Sequence, residues 1–101
     1  MKLLTKELFE AFKKQGDTSA KEAKDIKVIC KYFLCETYWS WYATDFDVDT
    51  GVFFGWVEGH FNELGSFSLE ELERVKSPTG TFKVERDLYW NSKTTLEEVM
   101  R

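Results

Sequence analysis

Asp45, Asp47 and Asp49 alternate along the chain, with Gly51 two residues beyond. Alternating carboxylates are hard oxygen donors of the kind that open a calcium loop. Such a loop needs glycine at its sixth position and a bidentate glutamate at its twelfth, and these positions hold Thr50 and Trp56. The better reading is an acidic hairpin tip suited to a basic partner surface. His60 is the single histidine and stands between Glu58 and Glu63. An imidazole beside carboxylates has the chemistry of a general base or metal ligand. Cys30 and Cys35 with His60 make three soft donors, one short of a closed zinc site; inert thiols are expected. In Glu85-Arg86-Asp87 an extended backbone sends the acids one way and the guanidinium the other. Arg86 is then either a structural partner for a buried carboxylate or an anion-binding group. Tyr38, Trp39, Trp41, Tyr42, Phe53, Phe54 and Trp56 form an aromatic stripe. No glycine-rich phosphate loop, zinc-protease helix motif or nucleophile elbow occurs.

The elements that hold these residues are legible from periodicity. Thr5 is placed to cap a helix through residue 14, with Leu4, Leu8, Ala11 and Phe12 on one face and Gly16 after its end. Residues 16–25 are polar and connect. From 26 to 33 the pattern has period two, with Ile26, Val28, Cys30 and Tyr32 on one side and Lys27, Ile29, Lys31 and Phe33 on the other. Further strands are predicted over 37–44, 52–58, 64–67 and 82–85, with 45–51 as a polar hairpin loop. Ser68 and Glu71 have the spacing of a capping box, and Thr94 or Thr95 opens a last helix carrying Leu96, Val99 and Met100. The expected fold is α+β: one domain over 1–101, an antiparallel sheet of three to five strands, an N-terminal helix and short C-terminal helices packed on one face.

Composition narrows the function. Nine Phe, four Tyr and four Trp in 101 residues supply a ring-rich core and leave rings over for the surface. The net charge of −4 disfavours phosphate-backbone binding and anionic membranes, both of which depend on Lys and Arg. The charged opening stretch and the two cysteines lead us to expect neither a signal peptide nor a membrane span, and a cytoplasmic location.

Several ordered segments then carry a resemblance: MKLLTKEL at 1–8, Trp39-Ser40-Trp41-Tyr42, FFGWVEGHFNELGSFSLEEL at 53–72 and VERDLYW at 84–90. Together they resemble the bacterial domain-of-unknown-function family 2958 over nearly the whole chain; residues 15–25 and Cys35 fall outside the pattern. The resemblance implies company with small reading frames of plasmids, conjugative elements and phages, often beside antirestriction genes. It implies no catalytic residues and no cofactor.

The expectation is a non-enzymatic anti-defence protein, an anti-CRISPR inhibitor that binds a type II RNA-guided nuclease. Its contact residues are expected to be Asp45, Asp47 and Asp49, which steer, and Tyr38, Trp41 and Tyr42, which anchor. No direct nucleic-acid contact is expected, and the chain is either monomer or homodimer. Two alternatives stay open: a nucleic-acid accessory protein that stacks bases on the aromatic sheet, and a small metal-dependent enzyme around His60.

Overall fold

The structure is a computed structural model that describes residues 1–101. Thr5 opens helix α1 (Lys6–Gln15) by accepting the Leu8 amide on its hydroxyl at 3.2 Å, which satisfies one of the first-turn donors. Gly16 closes it at φ 68°, with its N–H donating to the Phe12 carbonyl at 2.9 Å. Only glycine takes that left-handed conformation without a Cβ penalty.

Five strands follow: β1 (Cys30–Phe33), β2 (Ser40–Asp47), β3 (Val52–Glu58), β4 (Asn62–Ser68) and β5 (Glu85–Arg86). They lie in the order β4-β3-β2-β1-β5, with antiparallel neighbours throughout. Helix α2 (Leu69–Arg74) continues from β4, a short 3-10 turn spans Ala23–Asp25, and α3 (Leu96–Met100) ends the chain. The fold is α+β, as the periodicity predicts. At α2 the Ser68 hydroxyl accepts the Glu71 amide at 2.9 Å. The full reciprocal capping box forms at α3, between Thr95 and Glu98.

The helices do not share one face. Leu3, Phe12 and Leu72 pack with Tyr32, Trp41, Phe53 and Phe67 on the side of α1 and α2. Ile26, Val28, Tyr42 and Leu96 form a second, smaller core on the side of α3. Phe53 is the hub of the first, with ring centroids of Phe46, Phe67, Tyr32 and Phe12 at 4.6, 5.4, 5.5 and 5.8 Å. Complete burial of such a ring contributes about 3 kcal/mol.

The single strand expected over 26–33 is broken for the same reason. Val28, Ile29 and Cys30 are buried in succession, which period two does not allow on one face. The chain crosses layers there. The Val28 amide donates to the Thr94 carbonyl at 2.8 Å, whereas the Ile29 amide donates to the Ala43 carbonyl at 2.9 Å. The second strand is also displaced. Residues 34–39 turn through Glu36 at φ 71°, and pairing starts at Ser40 and runs to Asp47, into the expected loop. A bulge between Ala43 and Asp45 shifts the register, so Thr44 is the extra residue. Gln15 secures it: its Nε2 donates to the Thr44 and Lys27 carbonyls, each at 2.9 Å, and its Oε1 accepts the Lys27 amide at 3.0 Å. Opposite the bulge stands Gly55, where a Cβ would collide with the Tyr42 carbonyl.

Candidate binding surface

The three aspartates have different jobs. Asp45 lies within β2. Its Oδ2 accepts the Thr18 amide at 3.0 Å, and its Oδ1 accepts the Thr18 and Thr44 hydroxyls, each at 2.6 Å. Asp45 therefore clamps the polar connection after α1 to the bulge and is not a free contact acid. Asp47 ends β2 and accepts the Asp49 amide on Oδ1 at 2.9 Å, a side-chain turn that shapes the tip. Asp47, Val48 and Asp49 are exposed there.

The aromatic stripe divides between the two faces. Trp41 is 6% exposed and Tyr42 9%, so both expected anchors are core residues. Trp41 faces α1 and α2 and stacks on Trp39 at 5.7 Å. Tyr42 faces α3, with Trp90 at 5.7 Å and the Lys31 ammonium 5.3 Å from its ring centre. Its hydroxyl donates to Glu58 Oε1 and the Trp56 indole donates to Oε2, both at 3.2 Å. Burial, then the Glu58 charge, push the Tyr42 phenol above its ordinary range. The sequence could not reveal this division, because rings stand at both parities of β2 and β3.

Five rings remain outside, Tyr38, Phe54, Phe61, Phe82 and Tyr89, and two of them share one end of the sheet. Tyr38 is 68% exposed in the β1–β2 connection and Phe61 80% exposed in the β3–β4 turn. Antiparallel order puts those two connections at the same end of the sheet. Between them, Trp39 packs edge-on to His60 at 5.4 Å, and Gly59 exists because a Cβ there would strike the Trp39 ring. Glu36 and Glu63 are exposed carboxylates at this end. Hydrogen bonds from Ser77 and Thr79 hold Glu36 below the usual carboxylate range. Strand alternation does not mark Phe61; the signal it offers is a large apolar side chain in a Gly-His-Phe-Asn turn. The eight residues of β2 put about 25 Å between this end and the Asp47–Asp49 tip. Rings and tip acids do not form one patch.

The two carboxylates that flank His60 in sequence divide between the faces of the sheet. Val57 packs toward α1 and α2, and Glu63 is its cross-strand neighbour, so Glu63 shares that face while Glu58 takes the other. No group of three His, Cys, Asp or Glu side chains is gathered to hold a metal ion. Cys30 is buried and its thiol is pushed up to about 12 by that burial. Cys35 donates to Glu85 Oε2 at 3.3 Å, and this bond raises its pKa first. Arg86 finds no carboxylate; its Nε donates to the Lys2 carbonyl at 3.3 Å and ties down the N-terminal segment.

A groove of about 530 Å³ opens on the α3 side, walled by Ile26, Phe54, Leu64, Leu96 and Met100, with Asp17, Asp45 and Lys21 as its charged lining. No helix is long and apolar enough to cross a membrane.

Fold and surface together define a small α+β domain with a two-sided aromatic core and a ring-bearing end. The chain belongs to the family described as Protein of unknown function (DUF2958), whose model matches residues 3–101. No curated protein and no solved structure matches it.

Proposed function

We propose that this domain is a non-enzymatic inhibitor that binds a protein target through its ring-bearing end, and that the target is a host defence nuclease of the type II RNA-guided class. The observation that carries the binding reading is the exposure of Tyr38 and Phe61 on adjacent connections, in a chain whose other sheet rings are mostly buried. Large rings bury much area at low entropy cost and dominate interface energetics. Glu36 and Glu63 beside them, with the net charge of −4, suit a basic surface of the kind that holds nucleic acid. The company implied by the family resemblance supports the choice of target. Asp47 and Asp49, at the far end, contribute to long-range steering only.

The test is capture of the effector by the tagged domain from nuclease-treated lysate, followed by titration. The Tyr38→Ala/Phe61→Ala double variant is expected to weaken binding about 30-fold, the loss of a ~2 kcal/mol hot spot. Unchanged affinity in that variant refutes the surface, and absence of the effector refutes the target. Retention of single-stranded DNA at low salt in place of a protein moves the function to nucleic acid.

A further inference from the structure

We infer that the free edge of β4 is a self-recognition surface, through which two copies of this chain pair antiparallel to form one ten-stranded sheet. The two edges of the five-stranded sheet differ. The β5 edge has two residues, too short to template another strand. The β4 edge has seven, with unbroken register against β3 from Val52↔Ser68 to Glu58↔Asn62. Its sequence, NELGSFS, has no proline, no lysine and no bulge, the usual devices that block edge pairing.

The direction of its backbone groups follows from two bonds. The Leu69 amide donates to the Gly51 carbonyl and the Gly59 amide to the Phe61 carbonyl. Both pairs belong to the same register as β3–β4. Hydrogen-bonded pairs alternate in an antiparallel ladder, so Glu63, Gly65 and Phe67 bond inward to β3. The amides and carbonyls of Asn62, Leu64 and Ser66 therefore point out of the sheet. The same three side chains lie on the α3 side, where Leu64 is 47% exposed and Phe54, beside Ser66, 39%.

This edge is complementary to itself. With a two-fold axis at Leu64, Leu64 pairs with Leu64 of the second copy and Asn62 with its Ser66. Every outward amide and carbonyl of the three residues then finds a partner. The exposed leucines meet on one face. On the other, Glu63 lies opposite Gly65, which has no side chain to oppose it, and like charges never face each other. Shifting the axis to Glu63 would place the two carboxylates together. This self-fit makes the second copy the occupant, rather than a strand of another protein.

The test uses the purified chain alone, by sedimentation over concentrations that span Kd values from about 1 μM to about 1 mM. Wild type is expected to shift from monomer to dimer. Hydrogen-exchange protection should rise with concentration at the amides of Asn62, Leu64 and Ser66. Ser66→Pro removes only an outward donor, a place where an edge strand tolerates proline. It is expected to weaken the dimer about 30-fold, from two lost bonds per pair at about 1 kcal/mol each. Leu64→Lys is expected to do the same without touching the backbone. A wild type that stays monomeric overturns the inference, as does a dimer that survives both substitutions. A monomer whose target binding is lost in Ser66→Pro also overturns self-pairing and gives the edge to the target.

Discussion

Asp45→Ala separates structural from surface carboxylates. In the native chain this carboxylate accepts three hydrogen bonds, two from Thr18 and one from Thr44, and Thr18 and Thr44 are 4% and 0% exposed. Bonds to a charged group each contribute about 1.5–3 kcal/mol, and a buried donor left without a partner costs its desolvation. The Thr44 hydroxyl can turn to the Phe54 carbonyl at 3.1 Å, so only the Thr18 pair is wholly lost. The expected loss is about 3 kcal/mol, which lowers Tm by about 12–24 °C in a domain of this size. Urea unfolding at neutral pH measures it as a lower midpoint with an unchanged slope, and hydrogen exchange should quicken across residues 16–25. Asp47→Ala and Asp49→Ala should stay within about 0.5 kcal/mol of wild type, as exposed positions do. If Asp45→Ala costs less than about 1 kcal/mol, or Asp49→Ala costs as much, the clamp is wrong. A triple Asp→Ala variant would confound loss of partner binding with loss of the connection.

Gly55→Ala should destabilise by about 3 kcal/mol or more, because its Cβ meets the main chain of Tyr42, which cannot rotate away. Gly65→Ala meets nothing within 4 Å and should be near neutral; equal midpoints in urea would refute the bulge geometry. Alkaline stability should fall between the ordinary thiol value of 9.0 and the folded value of about 12 for Cys30. In that window the unfolded thiol loses its proton while the buried one keeps it, so the contribution is complete below 9.0 and drains as pH rises. The loss is about 2 kcal/mol by about pH 10.5. Urea titrations of wild type and Cys30→Ala check it: the variant should lose less between about pH 9 and 10.5, and parallel losses would refute the assignment.

Whatever depends on near neighbours is legible along the chain. Thr5, Ser68 and Thr95 open their helices, because a cap is a bond to an amide three residues on. The bounds of β3 follow from its alternation and from Gly51, and the ring-rich core follows from composition. Family membership was legible too, because ordered motifs lie along one line. Tertiary structure decided everything that required two distant segments to meet. The crossing at Val28–Cys30 occurs because α3 and the 94–96 segment bind one half of an apparently continuous strand. Asp45 became a clamp because the bulge at Thr44 turned it toward Thr18, twenty-seven residues away in sequence. Trp41 and Tyr42 were lost as anchors because each face of the sheet found its own cover, while Tyr38 and Phe61 stayed outside in connections that no helix covers. Alternation fixes that neighbouring side chains take opposite faces. Which faces are covered is set by the packing of helices remote in sequence, and local pattern carries no record of it.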